Sequence, residues 1–353
     1  YAVVSSEMPS SYEKEALKAQ AICARSYAVN RIRDHAYEKY GADLDDTTAC
    51  QVYNNIFETP ETIEAVQETA GEVLTCDGDM VQAYFFSTSC GTTCRNDDVW
   101  GGDKLSYLND QLETYAETEA KLNSTPVMLD HGYFQIGDGR LSTEEVFRDF
   151  IDKKIYVNSI EKEEPMYRWS IDYSKEQMQS AVSQGLPQVA AGCLTFYDKE
   201  GNESDAITEF AGQEAEEILG TIKNIIITER GNSGIAQSMV IYGKQGAVKV
   251  DGQMAIRQVL YPFEVEIVKQ DESRVSGWSL LPSAYFYIEK DKEGAYHLYG
   301  GGFGHGVGMS QNGANDLAKK GYKYEKILLH YFYGAEIKKI NETGFVTDEK
   351  IQE

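Results

Sequence analysis

One glutamate, Glu7, stands two residues before Pro9 and just ahead of a long stretch of small apolar residues. A carboxyl in that position has two opposite readings. Partial burial would raise its proton affinity and make it a donor near neutral pH. A place at a helix start would stabilise the anion instead. Far along the chain lies GGGFGHGVGMSQNGA (300–314), with Gly at 300, 301, 302, 304, 306, 308 and 313. Glycine at that density permits close backbone approach and positive φ. His305 has Gly on both sides, so no sequence neighbour crowds its ring. The segment is either a loop that faces a ligand or a tight turn that packs two helices. The letters G-x-G-x-x-G occur in it, but a dinucleotide site also needs a preceding strand, a helix and a downstream acid. They carry little weight for phosphate.

The stretch FFSTSCGTT (85–93) is rich in hydroxyls. Ser87, Thr88 and Ser89 suit a polyhydroxylated ligand, and suit equally well the polar atoms of their own loop. No G-x-S-x-G elbow and no spaced Cys/His/Asn set occurs, so a serine or cysteine hydrolase has no support. The six cysteines are 23, 50, 76, 90, 94 and 193. Cys90 and Cys94 form a C-x-x-x-C with no His within thirty residues of them. Neither CxxC nor HExxH is present. Metal ligation, a disulfide and free, partly buried thiols all remain open, and no metal or cofactor is expected at the candidate site.

These residues need elements to position them. Residues 1–8 read as a short strand that Pro9 breaks. Ser10 and Glu13 have capping-box spacing, and a helix is expected over about 12–36. Its middle, AQAICARSYAV, is small and apolar nearly all round, as in a helix buried on most faces. Gln20 and Arg25 sit inside it, and a buried guanidinium needs carboxylate or carbonyl partners. QVYNNI (51–56) is a strand or extended segment, and PETIEAVQETAG (60–71) a helix closed by Gly71. EVLTCDGDMVQAYFFSTS is a hairpin about Asp77-Gly78. Between 103 and 214, short helical pieces (142–151, 174–182) alternate with charged loops, as in an inserted lobe. From 221 the pattern is strands again, interrupted by a short helix at 254–260. Two helices, 314–321 and 324–332, follow the glycine-rich segment. No alternating βα pattern argues for a doubly wound sheet. The expected fold is α+β: a mixed, mostly antiparallel β core, a long buried N-terminal helix, C-terminal helices and an inserted second lobe. The expected domains are a core of 1–102 with 215–345, and a lobe of 103–214.

Length and charge narrow the classes. With 353 residues, two domains or one core with a large insertion are favoured. A net charge of −24 leaves too little Lys and Arg to displace phosphate counterions, which argues against nucleic acid and against an anionic membrane surface. A neutral or weakly charged polymer fits. Twenty-four tyrosines offer flat faces with hydroxyl tips, which suit carbohydrate and also suit half-buried strands. No run of about 18 apolar residues is present. The chain opens at Tyr1 on the apolar run YAVV, as expected of an excised or processed region whose signal peptide or anchor lies upstream.

Three segments together resemble a known family. SSEMPSSYEKEALKAQAICARSYA (5–28), YFFSTSCGTTCRNDDVWGG (84–102) and GGGFGHGVGMSQNGANDLAKKGYKYEKILLHYFYGAEI (300–337) are similar to the three motifs of the SpoIID/LytB family of peptidoglycan-acting proteins. PMYRWSIDYSKEQM (165–178) matches more loosely, so the lobe is family-like in part. The resemblance implies a lytic transglycosylase. In such enzymes one Glu protonates the oxygen joining N-acetylmuramic acid to N-acetylglucosamine. The carboxylate then helps the sugar's own 6-hydroxyl attack the anomeric carbon, leaving an anhydromuramoyl end. A lone acid suffices, unlike the carboxylate pair of most glycosidases.

The family's acid falls on Glu7 as catalytic residue. Gln20, Arg25, Ser87, Ser89, Tyr167, His305 and Gln311 fall on positions expected to bind substrate or shape the cleft, Arg25 by orienting Glu7 or holding substrate. The expected partners are peptidoglycan glycan strands, as in engulfment during sporulation, and a wall amidase or other sporulation hydrolases. The expected place is extracytoplasmic, at the wall or the outer face of the cytoplasmic membrane. The family also includes amidase-enhancer members, so a non-catalytic wall-binding enhancer of an N-acetylmuramoyl-L-alanine amidase is the alternative. Relatives carry His where Phe86 stands and Gly where Cys90 stands. Some have a zinc-like Cys and His where this chain has Leu44 and Ala49. Residues 103–163 are longer and more acidic than the family pattern.

Overall fold

A computed structural model describes residues 1–47, 50–54, 56–113, 127–129, 132–134, 141–152, 160–204 and 218–343. The chain is an α+β protein whose sheets are almost wholly antiparallel. It divides into two compact units. The first comprises 1–87, 105–109 and 307–353, and the second 88–104 and 110–306.

In the first unit the chain starts with a helix, α1 (Ala2–Glu7), where a strand is expected from Ala2-Val3-Val4. Tertiary partners override the β preference of these valines. Val4 is buried, Ser5 Oγ bonds Thr62 Oγ1 at 2.8 Å, and Ser6 Oγ accepts the Asn54 N–H at 3.0 Å. Glu7 therefore ends a helix; it neither ends a strand nor starts a helix. The long helix α2 runs Lys14–Arg33 and is buried along most of its length, as its alanines require. The Ser10–Glu13 capping box does not form. Glu13 is itself the N-cap, without a side-chain cap, and its N–H goes to Asn315 Oδ1 at 2.9 Å.

Helix α3 (Pro60–Glu68) is capped by Thr59 and Thr62. Strands β1 (Glu72–Cys76) and β2 (Asp79–Met80) form the expected hairpin, with Asp77 and Gly78 both at positive φ. The strand Glu336–Lys339 pairs with the other edge of β1. The segment 51–54 is not a strand, and Asn55 lies outside the described residues. A short parallel pair joins β3 (Phe85–Phe86) to Met309–Ser310. Two helices follow, Gln311–Lys319 and Tyr324–Tyr331. Phe86 is buried.

The second unit holds two five-stranded antiparallel sheets. One runs, in spatial order, 203–204, 194–197, 247–251, 236–243 and 222–230; the other 274–275, 267–269, 169–173, 296–300 and 286–290. The expected helices form at Glu144–Asp152, Lys175–Gly185 and Gln253–Val259. Gly300 ends the strand that enters the glycine-rich segment. A Cβ there would come within 2.4 Å of the Trp169 ring, so only Gly keeps the register of this strand with 169–173. Part of the 103–214 stretch lies outside the described residues.

Candidate functional site

The first unit builds a seat around Glu7. The Val52 N–H donates to Glu7 Oε1 at 2.7 Å, and Gln311 Nε2 donates to Oε2 at 3.2 Å. Burial pushes the carboxyl above its ordinary value and outweighs these two donors, which pull the other way. Glu7 is thus a carboxyl that holds its proton more tightly than usual while two donors fix its orientation.

Each donor is held from outside. Gln51 Nε2 bonds Ala24 O, the Tyr53 N–H bonds Asp46 O at 3.3 Å, and the Asn54 N–H bonds Ser6 Oγ. Residues 51–54 are therefore tied down on both sides of Val52. Gln311 opens the helix Gln311–Lys319, whose N-cap Ser310 accepts the Gly313 N–H at 3.3 Å. The Ser87 carbonyl accepts the Asn312 N–H at 3.0 Å and the Ser310 hydroxyl at 3.4 Å. Tyr12 donates to the Asn312 amide oxygen. Before this helix, the Met309 N–H bonds Tyr84 O at 3.0 Å, and Gly308 sits at φ +77°, where a Cβ would fall 2.1 Å from the same carbonyl. Of the residues expected at the site, Gln311 touches Glu7 directly, and Ser87 touches, through its main chain, the helix start that carries Gln311.

Arg25 does not reach Glu7. Its guanidinium donates to the carbonyls of Glu72 (2.7 Å) and Val66 (3.5 Å), tying α2 to β1 and α3. Gln20 is fully buried, and neither polar atom of its amide has a hydrogen-bond partner among the described residues. Gln20 lies in the packed interior of the first unit.

The second unit holds the other expected residues. His305 is half-buried with its ring 5.1 Å from that of Trp100. The glycine-rich loop before it is pinned by main-chain bonds: Gly302 N–H to Met166 O, Phe303 to Thr88 in both directions, Gly304 N–H to Pro282 O, and Cys94 N–H to Gly306 O. Trp169 Nε1 adds a bond to Gly302 O at 3.0 Å. The loop is thus a stiff turn, as its glycines permit.

Ser89 and Tyr167 are buried inside this frame. The Ser89 hydroxyl donates to the buried Glu161 carboxylate, which also accepts the Ser89 N–H at 3.0 Å. Tyr167 is covered by the Arg168 guanidinium, 4.3 Å above its ring. Both side chains brace the frame from within.

All six cysteines are free thiols. Burial pushes the Cys90 thiol up to about 12 and the Cys94 thiol well above its usual range, so neither is a thiolate at neutral pH. The Cys94 sulfur and carboxylate oxygens of Asp98 and Asp110 lie within 4.8 Å of one another. Those carboxylates already serve Arg95, Gln237 and the Asn232 N–H. Val52 is the site residue that the sequence does not mark, because a main-chain donor leaves no side-chain signature.

The family profile described as SpoIID, Stage II sporulation protein, matches residues 1–76, which contain Glu7, Val52 and all of α2. Over these residues the chain is similar to SpoIID proteins. A second profile, described as a domain of unknown function (DUF8618), matches residues 195–308. A protein named Amidase enhancer from Bacillus subtilis (strain 168) is 24% identical over 339 residues, covering 95% of this chain and 39% of that protein. Stage II sporulation protein D of Bacillus subtilis (strain 168) is 34% identical over 137 residues, covering 35% of this chain and 40% of its own length. Its namesake in Bacillus amyloliquefaciens is 25% identical over 349 residues, covering 95% and 72%. The matched region thus spans about 40% of the length of the two Bacillus subtilis relatives.

Proposed function

We propose that this chain acts on the cell wall in sporulation, as a lytic transglycosylase that cuts peptidoglycan glycan strands. The observation that carries the reading is the Glu7 carboxyl, oriented by two donors yet holding its proton above the ordinary range. The proton sits best on Oε2, whose donor is the more distant of the two. It passes to the glycosidic oxygen as the bond from that oxygen to the anomeric carbon breaks. The Val52 and Gln311 donors then stabilise the carboxylate left behind. Glu7 next takes the proton of the muramoyl 6-hydroxyl as that oxygen bonds the anomeric carbon. Glu7 ends protonated, no water is consumed, and one carboxyl performs both halves.

The site is extracytoplasmic on this reading. No helix of the described residues is long and apolar enough to cross a membrane. The test is digestion of purified, peptide-stripped glycan without any added protein, read by mass spectrometry. Anhydromuramoyl ends should appear with the natural chain and vanish with Glu7→Gln. If the Glu7→Gln protein makes them at the natural rate, Glu7 is not the acid.

A second reading has its own support. The relative named Amidase enhancer aligns with 95% of this chain. On that reading the same glycan-facing surface binds wall and stimulates an amidase, with no bond cut by Glu7. Wall binding without anhydromuramoyl products, together with faster release of stem peptides by an added amidase, would favour it.

A further inference from the structure

The second unit has a cavity that the Glu7 chemistry does not use. It measures 690 Å³ and is walled by Tyr261, Phe263 and Trp278, with Glu264, Glu266 and serine hydroxyls at its polar side. That volume is within the range of small-molecule sites. Three aromatic side chains around one hollow are more than strand packing requires.

Each aromatic is fixed. The Tyr261 hydroxyl bonds Gln184 at 3.1 Å, and its ring meets Phe263 edge-on at 5.8 Å between centroids. The Trp278 ring lies 4.8 Å from Phe303, at 43°. Phe303 belongs to the glycine-rich loop and is bonded to Thr88 through both main-chain groups. The chain just beyond Trp278 is held too, because the buried Arg257 guanidinium donates to the carbonyls of Leu281 and Pro282. The cavity is therefore preorganised, and its Trp278 wall rests on Phe303 of the glycine-rich loop. Glu264, on its rim, adopts a left-handed backbone at φ +51°, a conformation retained where the surroundings enforce it.

The lining selects a chemical class. Among the described residues, no Lys, Arg or His lines the cavity. The neighbouring Arg274 is held by Glu266 at 3.1 Å. Phosphate or a free carboxylate would meet Glu264 with no cation to compensate. A flat, neutral ring with outward hydroxyls fits instead: aromatic faces cover its C–H side, and carboxylate and serine oxygens accept from its hydroxyls. Resting on the glycan reading above, we infer that this cavity is a second sugar site that takes the neutral N-acetylglucosamine face of a glycan strand.

Chitotetraose, an uncharged chain of N-acetylglucosamine, is the probe. The three tryptophans give three indole N–H signals in a nitrogen-15 spectrum, and Trp278→Phe assigns the one that matters. Saturating chitotetraose should shift the Trp278 signal in the natural chain and in Glu7→Gln alike. Trp278→Ala and Phe263→Ala should each weaken binding about tenfold or more, while Trp278→Phe keeps most of it. A Trp278 signal that does not move, or an affinity untouched by both alanine variants, overturns the inference. So does an amine-bearing stem peptide that moves the Trp278 signal while the sugar does not. Failure of the Glu7 reading looks different: no anhydromuramoyl ends, with the Trp278 shift intact.

Discussion

Replacing Gln311 with Leu isolates one donor on the Glu7 carboxyl. Leu keeps the volume of a side chain that is 8% exposed, so water has little room to replace the lost N–H. The contact removed is a single charge-assisted hydrogen bond at 3.2 Å, long for its kind. Such bonds are worth about 1.5–3 kcal/mol, and its length places this one near the lower figure. The bond is stronger to the ionised carboxyl than to the protonated one and so favours the anion. Its loss should therefore raise the ratio of acid to carboxylate about tenfold at a fixed pH. The Val52 donor at 2.7 Å remains and keeps the group oriented. In Gln311→Leu the alkaline limb of glycan cleavage should move upward in pH, with little change in KM. Carbon-13 titration of labelled glutamates reads the same shift without any need for activity. A limb and a titration curve that stay in place, with KM raised, would refute the argument and make Gln311 a substrate contact.

Glu7→Gln should change stability as well as activity. Folding raises the proton affinity of Glu7 above the ordinary 4.5. The folded chain then binds the extra proton between that value and the raised one, so stability falls as pH rises through the window. The variant should melt higher than the natural chain at about pH 8 and lose that gain below the ordinary carboxyl value; equal melting at both ends would count against burial as the cause. Asp110, pushed up to about 6 by burial and by Asp98, follows the same sign. From 3.8 to about 6 is about two pH units, or about 3 kcal/mol at most. Its side chain is 20% exposed, which reduces this to about 2 kcal/mol. Asp110→Asn should raise the urea midpoint at neutral pH and not at about pH 4, and a pH-independent effect would contradict it. Gly308→Ala combines a left-handed φ with a Cβ 2.1 Å from the Tyr84 carbonyl. Strain and overpacking together cost about 3 kcal/mol, visible as a lower urea midpoint; an unmoved midpoint would mean the Met309–Ser310 pairing yields instead.

The elements that the sequence marks best are those whose partners are close in sequence or whose period is long. The alanine-rich run makes α2 buried, and Asp77-Gly78 makes the hairpin. Glycine density permits close backbone approach at 300–308, and there Gly300, Gly306 and Gly308 each meet an atom that a Cβ would strike. What is hidden depends on distant partners. The Ser10–Glu13 pattern is locally sound, but the Glu13 N–H is taken by Asn315. Val3 and Val4 favour a strand until Thr62 and Asn54 engage the serines that follow. The position of Arg25 within α2 calls for carboxylate or carbonyl partners, but which carbonyls serve it, those of Val66 in α3 and Glu72 in β1, is set by segments distant in sequence. Family positions likewise separate into two kinds: Glu7 and Gln311 share a hydrogen bond, while Ser89 and Tyr167 serve the frame.

The segment 300–314 has so many fixed glycines because it performs two structural tasks in sequence. Its first part, through Gly306, belongs to the second unit, where each main-chain N–H from Gly301 to Gly304 donates to a carbonyl elsewhere in that unit. Its second part, from Val307, belongs to the first unit, where it pairs with β3 and delivers Gln311 to Glu7. Neither task tolerates a slip of one residue. Moving the turn by one position would place a side chain against Tyr84 O or Tyr285 and would rotate Gln311 off the acid. Inserting one alanine between Val307 and Gly308 should therefore uncouple the Glu7 titration from Gln311 while leaving the two antiparallel sheets of the second unit folded. Intact sheet amide protection with a natural Glu7 titration would show that the register between the two halves is not what positions the acid.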